Sequence, residues 1–311
     1  MPHSPQRPRR VLVTGASGFI GQGVIPALAA AGIAVRAAVR EPGPIAAGVE
    51  SAVVGDLRKP VNLSEAMRDV DAIVHLAGLS HQAPGIGDDT YREVNSAVTA
   101  GLARAARASG VQRFVLLSSI RAQTGPSSDR VIRETDEPAP TDAYGRSKLE
   151  AEQLLAAAGL PHVILRPVVV HGPGMRFNMA ALLDLARRKT PLPLGLFDAR
   201  RSVLARDHLA DAVLVALTEP QAVGGTFLVA DPEPLTIAAM VRALRRGLGR
   251  GGGLLPVPPG MVAGVARIAG RGDDVDRLRQ TLVADPSKLL SIGWKPRRSA
   301  SDALAETARL A

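Results

Sequence analysis

The sequence predicts a doubly wound α/β fold, in which helices cover both faces of a parallel sheet and a smaller, mostly helical part follows. Three observations carry this expectation. Short apolar runs recur at 11–13, 35–39, 52–54, 72–74, 114–117, 163–165 and 227–229. Alanine-rich stretches of helical periodicity, 19–31, 89–109 and 145–158, lie between them. The runs are unbroken, as in strands buried on both sides, and do not show the alternation of a half-exposed sheet.

Taken in order, Val11-Leu-Val13 is the first strand, and Gly15, Gly18 and Gly21 mark its turn into the first helix. Such a turn lets the backbone approach a pyrophosphate while helix N-terminal amides point at its charge. The second strand runs from Val35 and ends at Arg40, with no acid where a ribose hydroxyl would be held, so a 2′-phosphate is the fitting partner. The fifth run, Phe114 to Leu117, leads into Ser118-Ser119, at a strand's carboxyl end, where ligands of this fold class sit. Past residue 170 the alternation breaks down, punctuated at Gly172-Pro-Gly174, Pro191-Leu-Pro193, Gly249 to Gly253 and Pro256-Val-Pro-Pro259. The expected organisation is a disordered basic tail at 1–10, a dinucleotide-binding domain at 11–170 and a substrate-binding part at 171–311, with 207–230 returning to the first domain.

Composition narrows the function classes. The 311 residues carry a net charge of +9 and no cysteine, which excludes disulfides and thiolate metal sites. The 33 arginines are scattered, and eight aromatic residues give few rings on which bases could stack, so nucleic acid is not the expected partner. Anionic small molecules fit the charge better. The histidines show no metal-ligand spacing, and no metal is expected. No apolar run reaches 18 residues, so no transmembrane segment is expected and the chain reads as cytoplasmic. The apolar stretch 254–270 is expected to pack in the second domain, with peripheral membrane contact as its alternative; Met175, Met179, Met240 and Met261 are expected as core filler.

Tyr144-Gly-Arg-Ser-Lys148 places a phenol and an ammonium one helical turn apart, on one face. A free phenol ionises near pH 10 and needs a neighbouring cation to act as a base at neutral pH, which Lys148 supplies. Only two tyrosines occur in the chain, so the pairing carries more weight than it would in a tyrosine-rich one. Ser119 would hydrogen-bond the oxygen whose carbon exchanges hydride, while Tyr144 moves the proton.

These residues resemble the extended short-chain dehydrogenase/reductases, in particular the NAD-dependent epimerase/dehydratase group that includes UDP-galactose 4-epimerase. The resemblance rests on Thr14-Gly-x-x-Gly-x-x-Gly21, Gly55-Asp56-Leu57, His75-Leu-Ala-Gly78, Asn95, Ser118-Ser119, Tyr144-x-x-x-Lys148 and Leu165-Arg-Pro167, and spans Val11 to about Leu310. It implies a Rossmann domain with catalytic Ser119, Tyr144 and Lys148. It implies a cofactor site of Gly15, Ser17, Gly18, Phe19, Ile20, Gly21, Arg40, Asp56, Leu57, Leu76, Ala77, Gly78, Asn95, Tyr144, Lys148 and Pro167. Asn95 would stabilise the helix beneath the active site. Ser119, Ile120, Arg121, Asn178 and Arg200 would meet substrate, Arg200 gripping its diphosphate. A homodimer is implied as well.

The departures matter. Dehydratases of this group place an Asp-Glu pair directly after the catalytic Ser or Thr, and here Ile120-Arg121 stands there. The expected activity is therefore nucleotide-sugar 4-epimerisation without elimination, by transient hydride transfer to bound NADP or NAD, with Arg40 tilting the choice to NADP. A diphosphate-linked lipid sugar is an alternative substrate. The alternative activities are an NADPH-dependent keto-sugar or carbonyl reductase and, from a different class, a non-catalytic cofactor-binding scaffold.

Overall fold

Each apolar run sends alternate side chains to opposite faces, and in the computed structural model both faces are buried for every run but 52–54, where Val53 stays exposed. The structure describes residues 7–43, 45–46, 48–80, 85–268, 270 and 272–311. Residues 1–6 of the expected tail and His81 lie outside the described residues.

The strands are β1 (Arg10–Thr14), β2 (Ala34–Val39), β3 (Glu50–Val53), β4 (Ala72–His75), β5 (Arg113–Leu117), β6 (His162–Pro167), β7 (Val169–His171), β8 (Arg200–Arg201), β9 (Val203–Ala205), β10 (Thr226–Val229) and β11 (Leu235–Thr236). The helices are α1 (Gly21–Ala30), α2 (Leu63–Ala66), α3 (Asp88–Tyr91), α4 (Val98–Ala108), α5 (Ala143–Ala157), α6 (Phe177–Ala186), α7 (Arg206–Thr218), α8 (Ile237–Gly247), α9 (Pro259–Ile268), α10 (Gly272–Leu278), α11 (Ser287–Ser291) and α12 (Ala300–Arg309).

Seven strands form one parallel sheet in the order β3-β2-β1-β4-β5-β6-β10, so the chain reverses direction across the sheet between β1 and β4. Val11, Val13, Val74, Val115, Leu117, Val163 and Leu165 face one buried cluster, with α1 and α7. Leu12, Ile73, Phe114, Leu116 and Ile164 face the other, with α4 and α5. A third cluster joins α6, α8, α9 and α12. Register pairs Thr14 with His75, His75 with Leu116 and Leu117 with Leu165. The chain therefore leaves β1, β4, β5 and β6 along one edge, at Gly15, Leu76, Ser118 and Val168.

Three expectations change. The third strand begins at Glu50, earlier than the apolar run 52–54, because on this edge strand Glu50 and Ser51 stay exposed and Glu50 pairs with Arg36 at 2.8 Å. The expected helix 89–109 is interrupted by a π-helical turn at Arg92–Ala97, which carries Asn95. Met261 is not core filler: it is 65% exposed on α9, with Val265 and Ile268 exposed on the same face one and two turns on, whereas Met175, Met179 and Met240 are buried. Ala263 faces the cluster instead. Among the described residues no helix is long and apolar enough to cross a membrane.

Candidate active site

The glycine turn is shaped by close contact. Gly15 has φ +69°, and a Cβ there would lie 2.7 Å from the amide nitrogen of Ala77; at Gly21 it would lie 2.4 Å from the carbonyl oxygen of Ala16. The turn is thus pressed onto the end of β4 while α1 starts tightly behind it. Ile20, the N-cap of α1, makes no side-chain capping bond, and the first turn has no acid. Gln22 and Gly23, in the first turn, already donate to the carbonyls of Gly18 (3.0 Å) and Ile20 (2.9 Å), so what suits the diphosphate of a dinucleotide here is the positive end of the α1 dipole, uncompensated by any acid. Gly15→Ala is expected to destabilise the fold by about 1–3 kcal/mol and to lower cofactor retention at least tenfold, read by cofactor content of the purified protein.

A buried chain of polar groups holds this turn in place. Ala77 N–H donates to Thr14 Oγ1 (3.2 Å), which meets His75 Nδ1 (2.6 Å); His75 Nε2 meets Thr99 Oγ1 (3.1 Å), and Thr99 donates to the Asn95 carbonyl (2.6 Å). Because the Thr99 hydroxyl proton goes to Asn95, Nε2 must carry the imidazole hydrogen and Nδ1 must accept from Thr14. Burial, aided by the Lys148 charge, pushes the His75 pKa down to about 3, so the ring is neutral. The Asn95 side chain exchanges two bonds with Leu79, N–H to Oδ1 at 2.9 Å and Nδ2 to the carbonyl at 3.3 Å, and donates to Ser147 Oγ at 3.0 Å. The π-turn thereby ties the loop after β4 to α5. Neither Thr14 nor His75 was assigned a role from sequence, since a threonine ending a strand and a histidine ending another look ordinary until the register pairs them.

Ser119, Tyr144 and Lys148 converge at the end of β5. Ser119 is 8% exposed, accepts the Arg121 amide at 3.1 Å and hydrogen-bonds the Tyr144 phenol. Asp142 caps α5 by accepting from the Gly145 amide at 2.7 Å, which sets Tyr144 in the first turn. Burial pushes the Tyr144 pKa up to about 12, against the lowering influence of the Ser119 hydrogen bond. Lys148, 7% exposed, donates to the Leu117 carbonyl at 3.0 Å. A Cβ on Gly78 would fall 3.3 Å from its Nζ, so the ammonium lies between the ends of β4 and β5. Burial lowers the Lys148 pKa to about 8, opposed by the charge of Glu152.

That depression has a sign in stability. Between pH 8 and the usual lysine value of 10.5 the unfolded chain holds the proton that the folded chain has lost, so stability rises with pH across this window. Below pH 8 the buried ammonium costs the fold about 3 kcal/mol. Lys148→Met is therefore expected to stabilise the cofactor-free protein at pH 7 by about 1–3 kcal/mol while abolishing turnover, as measured by urea unfolding beside an activity assay.

Beneath the site, Glu152 (4% exposed) and Arg166 (5% exposed) form a buried ion pair, Nε to Oε1 at 3.0 Å. Ser118 Oγ donates to the same carboxylate, and Arg166 also donates to Gln123 Oε1. The network links β5, β6 and α5, and so fixes the two elements that carry Ser119 and Tyr144. Its only sequence signal was the Leu165-Arg-Pro167 motif, which gave no partner for the arginine.

The other expected residues are spread around this centre. Ser17 and Gly18 are exposed on the glycine turn, Leu76 and Ala77 are half-buried after β4, and Pro167 is buried at the end of β6. Phe19 lies under the Arg206 guanidinium, 4.9 Å from ring centre to Cζ, and Arg206 also donates to the carbonyls of Phe19 and Pro173, closing the turn from the side of α7. Arg40 is exposed after β2, and its charge reaches Asp56. Asp56 is held by Arg58 at 2.6 Å, whose hydrogen bonds bring the carboxyl pKa down to about 2; Leu57 packs against the cluster under α4. Asn178 is exposed in the first turn of α6, and the Arg200 side chain is exposed on β8. Ile120 is 4% exposed, its side chain turned into the core by a short 3-10 turn after Ser119. Arg121 is 12% exposed, and its guanidinium pairs with Asp142.

Comparison with known proteins identifies the family. The profile of the NAD dependent epimerase/dehydratase family matches residues 11–230. The chain is 33% identical to a UDP-glucose 4-epimerase of Vibrio cholerae, covering 97% of this chain and 95% of that one. It is 32% identical to a 3-diazoavenalumate denitrifying reductase of a Streptomyces species, covering 92% and 96%. Among solved structures, MoeE5 in complex with UDP-glucuronic acid and NAD superposes with a TM-score of 0.76 at 25% identity, covering 97% of this chain and 98% of that one.

Proposed function

The chain belongs to the NAD-dependent epimerase/dehydratase family and is an NAD(P)-dependent enzyme, and from that premise we propose that it interconverts nucleotide sugars epimeric at C4. The observation that carries this reading is a complete Ser119, Tyr144 and Lys148 set followed by Ile120 and Arg121, with no carboxylate at the two positions where elimination of water would need an acid and a base. The similarity to the Vibrio cholerae 4-epimerase over nearly the whole of both chains supports it.

In this reading the glycine turn and the N-terminal end of α1 would hold the cofactor diphosphate, and Lys148 would hold the nicotinamide ribose. A bound nicotinamide would supply reversible hydride acceptance at the sugar carbon. Tyr144 takes the proton of the sugar 4-hydroxyl through its phenol oxygen, and Ser119 keeps that hydroxyl in line by sharing a hydrogen bond. With its pKa near 12, Tyr144 on its own is protonated at neutral pH, so its use as a base depends on added positive charge when the site is filled. Arg200 would anchor the diphosphate while the sugar turns over between the two half-reactions, and Asn178 would border the sugar. Arg40, exposed at the end of β2 where no acid holds a ribose hydroxyl, favours NADP over NAD.

Holoenzyme assayed with UDP- and dTDP-hexoses tests the proposal. Interconversion of C4 epimers without net change in NADPH is the expected result; no interconversion across the panel overturns it. Stoichiometric NADPH consumption with a keto sugar would instead establish a second reading, a reductase. That reading is favoured by Arg40 and by the Streptomyces reductase at 32% identity.

A further inference from the structure

Arg121 stands where an acid would serve dehydration, and its surroundings give it another task. Its guanidinium pairs with Asp142, and that same carboxylate starts α5 by accepting the Gly145 amide. Its amide donates to Ser119 Oγ, the hydroxyl bonded to Tyr144. Its carbonyl is so close to α5 that a Cβ on Gly145, the residue after Tyr144, would lie 2.3 Å from it. One residue therefore touches the serine, the first turn of the tyrosine's helix and the cap of that helix. Its Nε is buried without a hydrogen-bond partner among the described residues, and the guanidinium is held through Nη2, which donates to Asp142.

We propose that Arg121 is a positioning residue for Tyr144 and that, with Asp142, it forms a brace whose opposed charges set the electrostatic balance at the tyrosine phenol. This rests on Tyr144 being the proton-transferring group of the proposed reaction. The groups facing the phenol are Ser119 and Arg121 from the turn after β5, Asp142 from the start of α5 and Tyr91 from α3, whose ring meets it edge-on at 6.0 Å between centroids. The Arg121 cation favours the phenolate, and the Asp142 and Tyr91 oxygens oppose it. The two partners of the brace thus push in opposite directions.

The test is the pH dependence of kcat for holoenzyme carrying Arg121→Gln, Arg121→Lys or Asp142→Asn. Asparagine still caps a helix, so the last change removes charge while keeping the start of α5. Arg121→Gln is expected to move the rising limb to higher pH by about half a pH unit or more, and Asp142→Asn to move it lower by a similar amount. Arg121→Lys is expected to leave the limb in place with a modest loss of kcat. Movement of both variants in one direction, or of neither, overturns the proposal. Should Arg121→Gln fail to fold, Asp142→Asn carries the test by itself, and a limb that does not move to lower pH overturns the proposal.

A second readout separates this proposal from the epimerase reading. The chain has two tyrosines, so in a Tyr91→Phe background ultraviolet titration of phenolate reports Tyr144 alone. If the enzyme lacks epimerase activity, a lower titration midpoint on adding Asp142→Asn still supports the brace, and an unchanged midpoint overturns it.

Discussion

Tyr144→Phe is expected to lower kcat by about 10²–10⁴-fold while leaving cofactor content and thermal stability near those of the parent. The change removes one oxygen from a ring that keeps its packing, including the edge-on contact with Tyr91. The lost oxygen takes with it the hydrogen bond to Ser119 and the group that would carry the proton. Lys148, on α5, keeps its bond to the Leu117 carbonyl at the end of β5, so cofactor binding has no reason to fail. Steady-state kinetics beside cofactor release on denaturation measure both sides. A loss below tenfold would remove Tyr144 from proton transfer.

Glu152→Gln is expected to destabilise the protein by about 3–5 kcal/mol, more than other single changes at the site. Glutamine matches the shape of glutamate but leaves the Arg166 guanidinium buried without its counter-ion, and it replaces the charged acceptor of the Ser118 hydroxyl. The loss comes chiefly from an uncompensated buried charge, so Glu152→Gln combined with Arg166→Met is expected to recover much of it. Chemical unfolding of the single and double variants reads the recovery, and purely additive losses would contradict the account. Turnover is affected too, because the Glu152 charge supports the protonated form of Lys148 one turn away on α5.

The sheet was legible because burial on both faces demands unbroken apolar runs, and six of the seven runs lie wholly inside their strands. β3 was read less well because an edge strand need not be apolar. Ser119, Tyr144 and Lys148 were legible because strand ends and helical spacing are local properties. The partners of those residues were not. Thr14 and His75 are 61 residues apart in sequence, and Arg121 and Asp142 are 21 apart, so no spacing rule joins them. The π-turn that aims Asn95 inward leaves no mark in hydrophobic periodicity, and the exposed face of α9 reads as core because its residues are apolar.

By itself the sequence determined the doubly wound sheet, the glycine turn, the serine, tyrosine and lysine, and the absence of an eliminating acid, because each depends on residue type and short-range order. Tertiary structure alone decided which groups surround that set: the neutral tautomer of His75, the buried Glu152–Arg166 pair beneath it and the Arg121–Asp142 brace beside Tyr144. The physical reason is that hydrogen bonds and charges act over a few ångströms in space, and only the register of β1, β4, β5 and β6 brings these distant residues within that range.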